Sequence, residues 1–209
     1  ITVNAKNNGI CGKDCVKIAD GNITIKSEGD GIKSNNSEDT SKGYIYICGG
    51  KINITSTTDA IQAETTLTIE KGEINLKTGG GSENSSKTSE GKDNPQWGKW
   101  GQEDSSTTEE DTASAKGLKA GGDIKISNAT ITADTSDDSI HSNSNVTIES
   151  GTFNLKSGDD GIHADTSTVI NNGNIVIEKS YEGIEGSNVT INGGTIELTA
   201  SDDGINSAG

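Results

Sequence analysis

The sequence predicts an all-β chain: a right-handed, single-stranded parallel β-helix of about eight turns of about 22 residues, carrying one long loop. Three observations carry this. An aliphatic residue following a D-G-like pair recurs at Ile10, Ile32, Ile61, Leu118, Ile140, Ile162, Ile184 and Ile205. The segments around it alternate apolar and polar residues with period two, the strand signal. β-Branched residues dominate the apolar positions, and no segment has convincing helical periodicity.

The recurring residues are separated by 22, 29, 57, 22, 22, 22 and 21 positions. One frame therefore holds eight units and two insertions. The clearest unit, NVTIESGTFNLKSGDDGIHAD (Asn145 to Asp165), reads as three short strands. Val146 and Ile148 point inward in the first. Phe153 and Leu155 point inward in the second, with Asn154 and Lys156 outward. In the third, Ile162 and Ala164 point inward and His163 outward. Ser150-Gly151 turns one corner and Gly158 to Gly161 the next. No unit has enough inward apolar residues to fold alone, so stacked turns must share one core. Parallel crossovers are right-handed in nearly all proteins, which sets the expected hand.

The units form a single domain, 1–209, interrupted twice. The short insertion, near Asn35 to Ser41, adds seven residues (29 − 22). The long one adds 35 (57 − 22) as a polar, Gly/Ser-rich loop at about 79–115, with both tryptophans and the only proline. Trp97 and Trp100 either stack on sugars or anchor the loop by burial. The chain opens at ITVNAKNN, inside a repeat and with no visible signal peptide, as expected of a processed or trimmed form. Neither terminus reads as a cap for the solenoid ends.

Net charge is −15, and all 17 basic residues are lysine. Nucleic acid and anionic membranes are therefore poor partners. No run of 18 apolar residues exists to span a bilayer. Cys11, Cys15 and Cys48 are an odd number, so they cannot all pair within the chain. A Cys11–Cys15 bridge, a metal site and unpaired thiols all remain open.

The acids recur at one corner. Two positions before each aliphatic residue stand Asn8, Asp30, Asp59, Lys116, Asp138, Asp160, Glu182 and Asp203, and Asp137, Asp159 and Asp202 precede three of them. One position after it stand Cys11, Lys33, Gln62, Lys119, His141, His163, Glu185 and Asn206. Neighbouring turns lie about 4.8 Å apart. Two stacked charges at about 5 Å repel by on the order of 3 kcal/mol at an effective dielectric near 20. A divalent cation between turns would offset this, and an all-oxygen donor set selects Ca²⁺ over zinc or copper. The richest expected cluster is Asp137, Asp138, Asp159 and Asp160. Glu182, Glu185, Asp202 and Asp203 come next, then Asp30 and Asp59 with Glu64. The competing reading is plain turn chemistry, since Asp and Gly favour tight turns. His141 and His163 should stack in one outward column, lining a groove with Lys119; as a zinc pair they lack further ligands. Lys116 and Lys119 are candidate general bases for β-elimination, or else ion partners of the neighbouring acids.

VTIESGTFNLKSGDDGIHAD and VTINGGTIELTASDDGINS resemble the secreted bacterial carbohydrate-binding, calcium-binding, polysaccharide-lyase-like parallel β-helix family. The resemblance covers the chain outside the long loop. It implies calcium between turns and binding of plant cell-wall polysaccharide: acidic pectin such as polygalacturonate, and cellulose. It also implies a secreted or cell-surface location. The repeat is similar to that of calcium-dependent pectate lyases, whose D-D-G-[FI]-D run supplies calcium ligands. Here His163, His141 and Asn206 replace the last acid, and only Glu185 keeps one. Three functions follow as expectations: non-catalytic calcium-dependent glycan binding, a polygalacturonate lyase with a lysine base, and a calcium-rigidified surface solenoid.

Overall fold

A computed structural model of the chain describes residues 1–85 and 114–207. It is a parallel β-helix. Each turn passes through three faces, and the strands of each face stack in parallel on those of the next turn. The first face holds Thr2–Ala5, Asn22–Ser27, Lys51–Ser56, Gly72–Thr78, Ala129–Thr135, Gly151–Ser157, Asn174–Lys179 and Thr195–Leu198. The second begins each time at the recurring aliphatic residue, as in Ile10–Gly12, Ile61–Ala63, Leu118–Ala120 and Ile140–Ser142. The third carries the V-x-I segments, as in Cys15–Ile18, Tyr44–Ile47 and Asn145–Ile148.

The register is that expected from the repeat. Ile10 pairs with Ile32, Ile32 with Ile61, Ile61 with Leu118, and so on without a slip to Ile184 with Ile205. Both insertions are therefore absorbed at corners. A one-residue slip would turn every inward side chain to solvent, so this ladder fixes the core. Phe153, Leu155, Ile162, Val146 and Ile148 are fully buried in one apolar cluster that runs from Val16 to Ile184. At the last turn Ile205, with no turn beyond it among the described residues, is 48% exposed, whereas Ile184 is fully buried.

Three details depart from the sequence reading. Ile162–Ile170 and Ile184–Ile191 run without a break from the second face into the third, replacing two strands with one. Small register shifts after Leu155 and Ala164 accommodate this. Gly161 is not needed for a left-handed turn. An added Cβ there would meet the Gly183 carbonyl at 2.6 Å and Ile177 Cδ1 at 2.7 Å, so glycine is required by the closeness of the stacked turns. Finally, the long insertion leaves the first face after Thr78 and forms a short 3-10 turn at Ser82–Asn84; the rest of it, with Trp97 and Trp100, lies outside the described residues.

No helix among the described residues is long and apolar enough to cross a membrane. Cys11, Cys15 and Cys48 are all free thiols.

Candidate functional site

The site lies at the corner between the first and second faces. A column of inward hydroxyls builds it. Ser27, Ser56, Thr78, Thr135 and Ser157 occupy one register position at the end of successive first-face strands, and all are buried. Their hydroxyls hold the corner's carbonyls: Ser27 donates to Gly29 at 3.0 Å, Ser56 to Thr58 at 2.8 Å and Thr135 to Asp137 at 2.8 Å. Sequence reasoning missed this column. Its signal is the small hydroxylic residue five positions before the aliphatic one.

The next column carries the acids. Asp30, Asp59, Asp138 and Asp160 are each at most 5% exposed. Such burial demands compensation, and the structure supplies it twice. One carboxylate oxygen accepts a backbone N–H from the equivalent residue one turn on: Asp59 from Lys116 (2.8 Å), Asp138 from Asp160 (3.0 Å) and Asp160 from Glu182 (3.2 Å). Asn8 does the same for Asp30 at 2.9 Å. The other oxygen meets a lysine or histidine nitrogen. Lys33 Nζ lies 2.7 Å from Asp30, Lys119 Nζ 3.3 Å from Asp59, His141 Nδ1 2.7 Å from Asp138 and His163 Nδ1 3.1 Å from Asp160.

Lys116 is the lysine in the acid column. Its Nζ lies 2.8 Å from both Asp137 Oδ1 and Asp138 Oδ2. Burial would lower its pKa, but the charges of Asp138 and Asp137 outweigh burial and hold it above the ordinary lysine value. Burial would likewise raise Asp138, but the His141 hydrogen bond and the Lys116 charge keep it well below the usual carboxylate range. The repulsion inferred from stacked acids is thus largely offset within the protein. Lysines and histidines from the same or the adjacent turn interleave with the carboxylates.

His141 and His163 stack as expected, with ring centroids 4.8 Å apart and planes 17° apart. His163 also lies 2.6 Å from Glu185 and 3.2 Å from Asp165. Its hydrogen bond with Asp160 outweighs burial, and with the nearby carboxylates raises its pKa to about 9. Glu185 is raised by burial and by its acidic neighbours Asp160 and Glu182, against the pull of His163.

Two groups of potential metal ligands converge among the described residues, each with donor atoms within 4.8 Å of one another. One is Asp137, Asp138 and Asp159; the other is Asp160, His163 and Glu185. The first is all oxygen and fits a hard cation such as Ca²⁺. The ammonium of Lys116 now stands against two of its three carboxylates, so an ion there must displace it. The second includes an imidazole nitrogen, a donor that suits borderline metals better than calcium. Asp160 thus falls with His163 rather than with Asp137 and Asp138. No third group forms around Asp30, Asp59 and Glu64, or around Asp202 and Asp203, among the described residues. Asp202 and Asp203 are exposed, and Glu182 accepts two hydrogen bonds from Asn206 at 3.1 Å. Lys119, besides Asp59, donates to Ser114 at 3.0 Å.

A profile of the family described as carbohydrate-binding domain-containing protein matches residues 1–161 and 143–209. No curated protein and no solved structure matches the chain.

Proposed function

Starting from the chain's membership of the carbohydrate-binding domain-containing family, we propose that it binds acidic plant cell-wall polysaccharide non-catalytically, outside the cell, with Ca²⁺ at the acid corner. The observation that carries this reading is the convergence of Asp137, Asp138 and Asp159 on one point. A protein of net charge −15 repels a polyuronate, and calcium held there would bridge protein carboxylate to sugar carboxylate.

The chain's own residues have distinct parts in this. The Thr135 hydroxyl fixes the Asp137 carbonyl and so the corner. The Asp160 backbone N–H fixes one oxygen of Asp138. Lys116 holds Asp137 and Asp138 in place until calcium replaces it. Lys119 and the stacked His141 and His163 stand on the outward face beside the site, where a polysaccharide would lie. Cellulose is a second proposed ligand, carried by the family resemblance.

Without calcium, Asp137 and Asp138 hold Lys116 protonated, so it is no general base in that state. The test is retention in gels containing polygalacturonate, with calcium and with chelator, while unsaturated product is followed by its ultraviolet absorbance. Calcium-dependent retardation without new absorbance is expected. Retardation that survives the chelator overturns the calcium bridge, and accumulating absorbance overturns the non-catalytic reading.

A further inference from the structure

A groove of about 560 Å³ runs along the first four turns, at the end of the first face, with Gly79 at its far wall against Ser136, the residue before Asp137. Asn4 and Lys6 line it in the first turn, Lys26 in the second, Thr55 and Thr57 in the third, and Gly79 and Gly80 in the fourth. At about 4.8 Å per turn it spans roughly 14 Å along the solenoid. Its far wall is set by glycine. Gly79, Gly80 and Gly81 have φ of +57°, +86° and +100°, which lets the chain leave the sheet abruptly and close the groove.

The charges in it are unusual for this molecule. Lysines of the same face are paired: Lys51 with Glu73 at 2.6 Å, Lys77 with Asp134 at 3.0 Å and Lys156 with Glu178 at 2.8 Å. Lys26 shares a register column with Lys77, through Thr55. Among the described residues, however, neither Lys26 nor Lys6 makes a salt bridge; Glu28 shares the groove and pairs with neither. Among the described residues, two ammonium groups without an ion pair thus line one groove in a chain of net charge −15. Asn4, Thr55 and Thr57 add amide and hydroxyl groups suited to sugar hydroxyls.

We propose that this groove is a second glycan site, which takes a short run of uronic-acid residues by direct contact of their carboxylates with Lys6 and Lys26, without calcium. The choice of occupant rests on the acidic-glycan reading above; the site itself rests on the groove and its unpaired lysines. The groove and the acid corner adjoin along the rod, so one polymer could engage both and gain avidity.

The probe is trigalacturonate, titrated calorimetrically into the whole chain in chelator, beside the fully methyl-esterified trimer. Saturable binding of the acid trimer is expected, with none of the ester and with marked weakening at high salt. Lys6→Ala together with Lys26→Ala should weaken it by roughly tenfold or more, given what hydrogen bonds to charged groups contribute. Both lysines are exposed, and an unchanged melting temperature will show that the variant folds. Absent binding in chelator, equal binding of the ester, or binding indifferent to the double substitution each overturns the proposal. Calcium-dependent retention of polygalacturonate is a separate readout, so failure here leaves the corner site standing, and the converse holds.

Discussion

The Lys116 ammonium lies 2.8 Å from Asp138 Oδ2, across one turn of the coil, with both side chains largely withdrawn from solvent. Lys116 occupies a position where most turns carry an acid, so the column's one lysine lies beside its densest carboxylates. Removing one partner of a buried pair leaves the other charged and unpaired. Lys116→Met should therefore lower stability in chelator by on the order of 3 kcal/mol. Because the same ammonium competes with calcium, the variant should be stabilised by added calcium more than the parent is. Melting curves with and without calcium check both effects.

The Asp138–Asp160 link separates hydrogen bonding from charge. Asn8 already plays this part for Asp30, through a side-chain oxygen that accepts a backbone N–H. Asp138→Asn should thus keep the bond to the Asp160 N–H, while Asp138→Ala leaves that buried donor unsatisfied. The alanine variant is expected to be the less stable by about 1–3 kcal/mol in denaturant melts.

His163 gives a pH signature in chelated buffer. Its pKa rises from about 6.5 to about 9 on folding, chiefly through the Asp160 hydrogen bond. A raised folded-state pKa contributes stability that is full below about pH 6.5 and is lost as pH climbs through about 9. The stability gap between the parent and His163→Gln should accordingly be widest near pH 6 and shrink towards pH 10. A gap that widens on that rise would contradict the assignment.

Gly161→Ala tests the close stacking of turns. The added methyl would press on the Gly183 carbonyl and on Ile177. A loss of about 1–3 kcal/mol is expected, typical of overpacking. Substitution at the exposed Gly21, whose added Cβ would meet nothing within 4 Å, strains only the backbone, at φ +126°.

The fold was legible because its signal is repeated. Ile10 to Ile205 recur in one frame, and a parallel stack converts sequence period directly into register. Inward and outward faces followed from alternation alone, as at Phe153 and Asn154. The candidate site was legible only in outline. The acid column could be read, and Lys116 and Lys119 as ion partners of its acids, but not which acid each would meet. Lys116 meets Asp138 from 22 residues away, and Lys119 meets Asp59 across the long insertion. Pairing of that kind depends on side-chain reach between turns, which period does not encode. The hydroxyl column was overlooked because a buried serine resembles an exposed one in sequence. The Lys6–Lys26 groove has no motif at all; it arises from two unpaired charges and the point where the insertion leaves the sheet.

The most direct measurement is calorimetric titration of calcium into the parent chain and into Asp137→Asn/Asp159→Asn, each followed by polygalacturonate. The expected result is saturable calcium uptake by the parent, calcium-dependent polymer binding after it, and loss of both in the variant. Polymer binding that needs calcium but persists unchanged in the variant would place the bridge elsewhere, and a parent that takes up no calcium would contradict the corner site outright.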